Sequence, residues 1–530
     1  MRSFYIFSLI CFWTHLAIAQ VTFQRSISGT LHYQGAAVQQ TVDGGYVIVG
    51  ASDDCALCYQ DVFVAKADEY GDLIWRKSFG DTMSDVGRAI WQTIDGGYIV
   101  AGKTYSFGAA VLGAGFADVF LMKLDAQGDI DWCSMMGGAN FDGAESIQQT
   151  RDGGYIVGCN TLSFGAGVYE IMLIKLDQLG HIVWTRTLGD TGHDFLSAVR
   201  QTDDGGYIIS GSTSSFTPPL EDVALIKTDS LGYPVWVKTY GGSDYEKAYG
   251  LDITMDGGYI MSGWTVSFGG AYAEMYVIKT DASGDTLWTK IYGGGSGDYA
   301  YNIRQTPDSG YAIEGSTESF GAHTSGCLLR IDKTGVPMWA RAYGGTTFHD
   351  HIYGFDPTSD GGFVMVGNNG LSFSNPSTNM YFIKTDLLGA TGCNEFTYTP
   401  TTFVPHSNMN TRTFQIESPV LTVTKILPTI TSYGSAVPFC FNGLEDLSEH
   451  HPVQVFPNPG TGEFHLKFQD EVVGGYITIT NLLGETVFQN KIDRGMDATI
   501  HLEDVVSGMY ILQFSGSGTL FTQKILLTQQ

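Results

Sequence analysis

The residues best suited to chemistry in this sequence are few and scattered. His349-Asp350-His351 sets two imidazoles around one carboxylate, and His193-Asp194 is its nearest counterpart. Two histidines and an acid are a fragment of a zinc site or of a general-base arrangement. A closed metal site needs further ligands, which the neighbouring sequence does not supply, so a solvated loop accounts for the triplet as well. Cys55-Ala-Leu-Cys58 is a single C-x-x-C. Without a second pair it specifies no zinc ribbon, and without a βαβ context no thioredoxin chemistry; a disulfide closing a local loop is the simpler reading. Acids recur at Asp85, Asp142, Asp194, Glu246, Asp298 and Asp350. They fit caps of a following strand or isolated calcium ligands, and no D-x-D-x-D-G loop accompanies them. H-E-x-x-H, a P-loop, a dinucleotide fingerprint and a strand-borne G-x-S-x-G are missing from the sequence. No cofactor is expected, and no catalytic residue is singled out.

A repeat positions these residues. Asp-Gly-Gly-Tyr begins at Asp43, Asp95, Asp152, Asp204 and Asp256, and returns as Asp308-Ser-Gly-Tyr and Asp360-Gly-Gly-Phe. The steps are 52, 57, 52, 52, 52 and 52 residues, the mark of one supersecondary unit copied along the chain. The fourth copy shows its grammar. Run a spans 197–202, run b 207–213, run c 223–229 and run d 235–240. Tight turns join a to b and c to d, with glycine and an Asx-type aspartate at the corner. Runs b and c are almost wholly apolar, as central strands are. Four antiparallel strands per unit of this length predict an all-β fold, a seven-bladed β-propeller over residues 20–393. Run d carries Trp75, Trp132, Trp184, Trp236, Trp288 and Trp339, six for seven turns. The missing position falls 20 residues before Asp43, at Phe23, so the N-terminus is expected to supply the last blade's outer strand and close the ring.

Other residues recur with the repeat. Run c ends in Lys-x-Asp (Lys66/Asp68 through Lys384/Asp386, with Arg330/Asp332 in the sixth copy), and residues two apart share a strand face. Seven structural ion pairs explain this better than a cationic ligand ring, because repeat-wide residues serve the scaffold. Ser-Phe recurs in the b–c loop at Phe107, Phe164, Phe216, Phe268, Phe320 and Phe373. These rings fit packing between copies or stacking of sugars. The b–c and d–a loops share one face, where the copies differ most. His193, Asp194, Phe107, Phe268 and Phe320 are therefore the candidate ligand face, with His349, Asp350 and His351 the weak metal candidates.

Composition bounds the rest. Charged residues are only 16% and glycines number 68, which suits a β-rich chain with many tight turns. Acids outnumber bases 55 to 28, a net charge of −27, which disfavours nucleic acid and anionic membranes as partners. Residues 1–19 read as a signal peptide: Arg2, an apolar stretch over 4–12, and Ala17-Ile-Ala19 before Gln20. Losing Arg2 takes the net charge from −27 to −28. No later stretch is apolar enough to form a transmembrane segment. Of the seven remaining cysteines, Cys393 and Cys440 are the first candidates for a disulfide, as they flank a loop-rich segment just past the repeats.

Composition shifts after Gly392. Residues 394–451, rich in Thr and Pro, read as an extension or linker. Residues 452–530 hold seven alternating runs, expected as an Ig-like β-sandwich. Phe456-Pro457-Asn458-Pro459 opens this unit, Thr480-Asn-Leu-Leu-Gly484 lies in its middle, and Ser507-Gly508-Met-Tyr510 precedes Lys524. In order and spacing these motifs resemble the type A C-terminal sorting domain of the type IX secretion system. The resemblance implies outer-membrane passage through the type IX secretion machinery, then release or attachment to the surface of a Gram-negative bacterium. The repeat region in turn resembles Asp-Gly-Gly-Tyr repeat propellers of secreted bacterial proteins, and kelch-type propellers in strand order; this brings a fold and no activity. The expected function is a non-enzymatic binding or adhesion module for an extracellular glycan or protein. The alternatives are a secreted carbohydrate-active enzyme on a propeller scaffold and a structural surface-layer component.

Overall fold

The computed structural model describes residues 20–527 apart from 28–31, 54–58, 81–82, 107–115, 167, 217–219, 322, 345–348, 372–377, 406–407, 413–414, 418–421, 426–428, 433–436, 439–452, 457–462, 482–485, 503–507 and 517–518. Among these residues the regular elements are all strands, arranged in eight antiparallel sheets. The chain divides into two compact units, Met1–Asn442 and Gly443–Gln530.

The first unit holds seven five-stranded sheets among the described residues. In the fourth copy, Asp194–Gln201, Tyr207–Thr213, Asp222–Thr228 and Pro234–Gly241 follow runs a to d in order. Run a starts at Asp194 rather than at 197, which draws the acid of the d–a crossing into the sheet. Runs b and c are buried at every position. Each Ile or Val placed there contributes about 1.5–3 kcal/mol, which is why these runs are apolar without alternation. At the a–b corner Gly205 takes φ 84°, in the left-handed region that favours glycine. Asp204 Oδ1 accepts from Gly206 N (2.9 Å) and Thr202 Oγ1 (2.6 Å), the expected Asx-type turn.

The repeated cations pair differently from the sequence expectation. Lys227 Nζ meets Asp204 Oδ2 at 2.8 Å, across the sheet, and not Asp229 two residues on. Lys66, Lys123, Lys175, Lys279, Arg330 and Lys384 likewise reach Asp43, Asp95, Asp152, Asp256, Asp308 and Asp360. Run b lies between a and c, so the a–b corner hangs over the end of run c. The second acid is occupied elsewhere: Asp229 Oδ1 accepts from Leu231 N and Tyr233 N in the c–d turn.

Four kinds of contact join successive copies, and each also joins the seventh to the first. Trp75 packs against Tyr98 at 6.0 Å between centroids, Trp184 against Tyr207 at 5.8 Å and Trp339 against Phe363 at 6.2 Å. Phe23 meets Tyr46 in the same way at 6.1 Å. The tryptophan also covers the c–d glycine of the next copy: a Cβ on Gly128 would stand 2.8 Å from Trp75, and one on Gly71 only 2.6 Å from Phe23. The first residue of run a donates its N–H to the residue before run c of the preceding copy, as Asp194 does to Tyr169 and Tyr33 to Thr378. A glutamine ending run a accepts from the preceding a–b turn, as Gln201 does from Arg151 N and Gln40 from Ser359 N. Where that turn residue is Pro307, which has no N–H, the glutamine position holds Pro357. Phe23–Ile27 pairs antiparallel with Asn379–Thr385 and is the fourth strand of the last sheet.

The segment expected as an extension or linker builds the fifth strands. Glu395–Thr397, Thr401–Phe403, Asn408–Arg412, Gln415–Glu417, Thr422–Lys425, Thr429–Ser432 and Val437–Pro438 add to the outer edges of the sixth, fifth, fourth, third, second, first and seventh sheets. The chain thus runs back past every sheet in reverse order. Each addition pairs an otherwise open run-d edge, the feature that invites unwanted strand pairing. Cys393, at the start of this belt, is disulfide-bonded, while its expected partner Cys440 lies outside the described residues, as do Cys55 and Cys58. Cys133, Cys159 and Cys327 are buried free thiols.

In the second unit five strands form one sheet, in the order Val453–Phe456, Glu463–Asn481, Gly508–Gly516 and Thr519–Leu527, with Thr486–His501 also paired to Glu463–Asn481. Runs read as separate strands are halves of these long ones. Pairing continues past a register shift between Lys467 and Val472, and Gly474 takes φ 77° nearby. Phe464, Leu466 and Phe468 from one half share a core with Ile477 and Ile479 from the other.

Candidate functional site

Run a carries a β-bulge in every copy, and the bulged residue changes from copy to copy. The register shifts leave Ala36, Arg88, Glu145, Ser197, Tyr249, Tyr301 and Tyr353 as the extra residues. Bulges re-aim side chains, and all seven of these line one cavity of about 590 Å³. Each of the seven sheets of the first unit contributes its run a to that wall. Beside the bulges, Ala248, Leu251, Ala300 and Ile303 are small or aliphatic and buried.

The lining is asymmetric. Tyr249, Tyr301 and Tyr353, one from each of three successive copies, form a ladder with centroids 5.6 and 5.8 Å apart, and His351 stacks on Tyr353 at 5.9 Å. Tyr301 Oη is 3.1 Å from Ser316 Oγ, which fixes the middle rung. Arg88 and Glu145 come from two other copies, with Arg88 Nε 4.0 Å from Glu145 Oε2. Burial holds the Glu145 carboxyl above its usual range, although Arg88 and Lys103 pull it back. Three residues after the bulge stand Arg200, Arg304 and Asp356, also on the wall. Burial and the neighbouring Arg304 lower Arg200 to about 10, and burial raises Asp356 to about 6. Asp356 Oδ2 also accepts from Gln40 N at 3.2 Å, across the junction of the last and first copies.

Most residues singled out from sequence serve the scaffold. Asp194 is fully buried, with Ser215 Oγ donating to Oδ2 at 2.6 Å and Asp190 N at 3.0 Å, so it caps the d–a crossing. Asp350 is buried in the equivalent place. His349 Nδ1 lies 2.9 Å from Thr324 Oγ1, and His351 faces Tyr353. No group of three His, Cys, Asp or Glu able to hold a metal exists among the described residues. His193 stacks on Phe195 at 5.8 Å. Phe268 packs beside Tyr276, and Phe320 stacks on Tyr398 at 4.3 Å, while Phe107 lies outside the described residues.

The crossing acids also form pairs between copies. The Gly137 Cβ position faces both Asp118 and Asp142, and that of Gly293 faces both Glu274 and Asp298. Burial, then the neighbouring carboxyl, raises Asp118 and Glu274 to about 7. Their stabilising effect is complete below the unfolded value near 4 and is lost as pH rises to about 7. Asp204 behaves oppositely: burial opposes ionisation, yet Lys227, Thr202 and Gly206 N hold it at about 2, so its contribution fades only as pH falls from about 4 to 2. Thermal stability is therefore expected to peak near pH 4–5. Asp118→Asn combined with Glu274→Gln should raise the melting temperature at pH 8 and leave it unchanged at pH 4. An equal shift at both pH values would contradict the assignment.

The second unit is a separate sheet with its own core, and its sequence decides its identity. Residues 454–528 match the secretion system C-terminal sorting domain. Tyr510 of the sorting domain is buried in the core, Gly508 opens a strand opposite Leu527, and Lys524 pairs with Ile511. Pro457, Asn458, Pro459 and Gly484 lie outside the described residues. The sorting domain marks a secreted, surface-directed protein that engages secretion machinery. No curated protein matches the chain. No helix among the described residues is long and apolar enough to cross a membrane.

Proposed function

We propose that the first unit is a seven-bladed β-propeller acting as a binding module, exported through the type IX machinery by the sorting domain. The propeller reading is supported by the contacts that join the seventh copy to the first as any copy joins the next. The binding reading is carried by one observation: the bulged residue of each run a lines a shared cavity and ranges between copies from alanine to arginine, glutamate, serine and tyrosine. A purely structural ring has no reason to set charged, polar and aromatic side chains at equivalent positions around one cavity. The site thus lies in the cavity and not among the loop phenylalanines. The mature chain, probed on arrays of glycans and extracellular proteins, is expected to bind a ligand that Tyr301→Ala with Arg88→Ala abolishes. Binding that survives this double substitution would remove the cavity as the site.

Deleting residues 443–530 is expected to hold the protein in the periplasm. Fractionation and immunoblotting would show it, and wild-type levels at the surface or in the medium would refute the sorting role.

A further inference from the structure

We infer that the cavity takes an anionic oligosaccharide, its negative groups carboxylate or sulfate; this rests on reading the first unit as a binding module. The first observation is charge. The chain has nearly twice as many acids as bases, yet Arg88, Arg200, Lys247 and Arg304 line the cavity against Glu145 and Asp356, with Lys247 also meeting Glu221 Oε2 at 3.2 Å behind the wall. Four bases to two acids in the wall of so acidic a protein is a local reversal that attracts anions and focuses their approach. Three of the four are arginines, whose planar forks match carboxylate and sulfate oxygens.

Aromatic geometry supplies the second observation. The Tyr249, Tyr301 and Tyr353 ladder presents successive phenol rings along one side of the wall, with Tyr249 38% exposed. Amphipathic rings of this kind offer a face to sugar C–H groups and a hydroxyl to sugar oxygens. Ser197 and Asn302 also line the cavity, with Ser197 Oγ donating to Ala248 O at 2.6 Å and Asn302 Nδ2 to Tyr353 O at 2.8 Å. The cavity volume, about 590 Å³, lies within the range of small-ligand sites. An acidic peptide would satisfy the arginines but makes less use of a run of three tyrosines, so the saccharide is favoured.

Calorimetric titration of the mature chain tests this with four probes: oligogalacturonate, its methyl ester, a sulfated dextran oligosaccharide and poly-glutamate. Oligogalacturonate or the sulfated oligosaccharide should bind, and the preferred one identifies the anionic group. Methyl esterification should weaken oligogalacturonate at least tenfold, and Arg88→Gln and Tyr353→Ala should each weaken the preferred saccharide by a similar factor. Circular dichroism melts of these variants establish that they fold, and Tyr353→Phe, which keeps the ring, should lose less than Tyr353→Ala. Equal binding of the methyl ester, or preference for poly-glutamate, overturns the anionic-saccharide inference and leaves the binding module standing. No binding of any probe, together with blank glycan and protein arrays, overturns both.

Discussion

Deleting residues 21–30 is expected to abolish the single cooperative unfolding transition of the first unit. Phe23–Ile27 is the fourth strand of the last sheet and the seat of the last belt strand, since it pairs with both Asn379–Thr385 and Val437–Pro438. Phe23 packs on Phe382 at 4.9 Å and on Tyr46, and Ile27 is fully buried. These two side chains alone contribute about 3–6 kcal/mol. A domain's whole stability is roughly 5–15 kcal/mol, so the loss removes a large share before the exposed edge of Asn379–Thr385 is counted. Arg25, which meets Asp72 of the first copy at 3.0 Å, goes with them. Calorimetry of the deletion should give a broad or multiple transition with binding of a hydrophobic dye. A single sharp transition within a few degrees of the parent would refute the closure.

Asp204→Ala should cost far more stability than Lys227→Met, although the two residues form one ion pair. The Lys227 side chain is only 9% exposed, against 63% for Asp204. Removing the acid leaves a buried ammonium with the Thr228 carbonyl at 2.8 Å as its remaining close partner. An uncompensated buried charge costs about 3–5 kcal/mol, which water reaching the half-open site reduces to roughly 2–3 kcal/mol. Methionine instead fills the same space without a charge. Asp204 then still accepts from Gly206 N and Thr202 and remains a solvated turn acid. That loss should stay near 1 kcal/mol. Chemical denaturation of both variants and the double variant measures the difference; a Met variant less stable than the Ala variant would reverse the argument. The same pair is built in all seven copies, so the result extends to each corner.

The belt of residues 395–438 is barely legible in the sequence. Its strands begin at 395, 401, 408, 415, 422, 429 and 437, a spacing of six to eight residues that is present in the sequence. Strands of two to five residues carry too little alternation to be recognised, because their stability comes from the edge they join and not from their own pattern. The bulged residues were hidden for a related reason. Ala36, Arg88, Glu145, Ser197, Tyr249, Tyr301 and Tyr353 look like ordinary scatter until register shows them to be the extra residue of each strand. The loop histidines and phenylalanines stack on neighbouring rings and pack, as His193 does on Phe195 and Phe320 on Tyr398.

The sequence by itself determined the unit, its seven copies, the strand order within each, the place of Phe23 and the identity of the tail. Those features are written in local period and spacing, which short-range sterics and burial translate directly. Tertiary structure alone decided which acid each lysine meets, where residues 395–438 go, and which side chains converge on the cavity. Each of those depends on residues brought together from distant copies, and no period along the chain records which of them will touch.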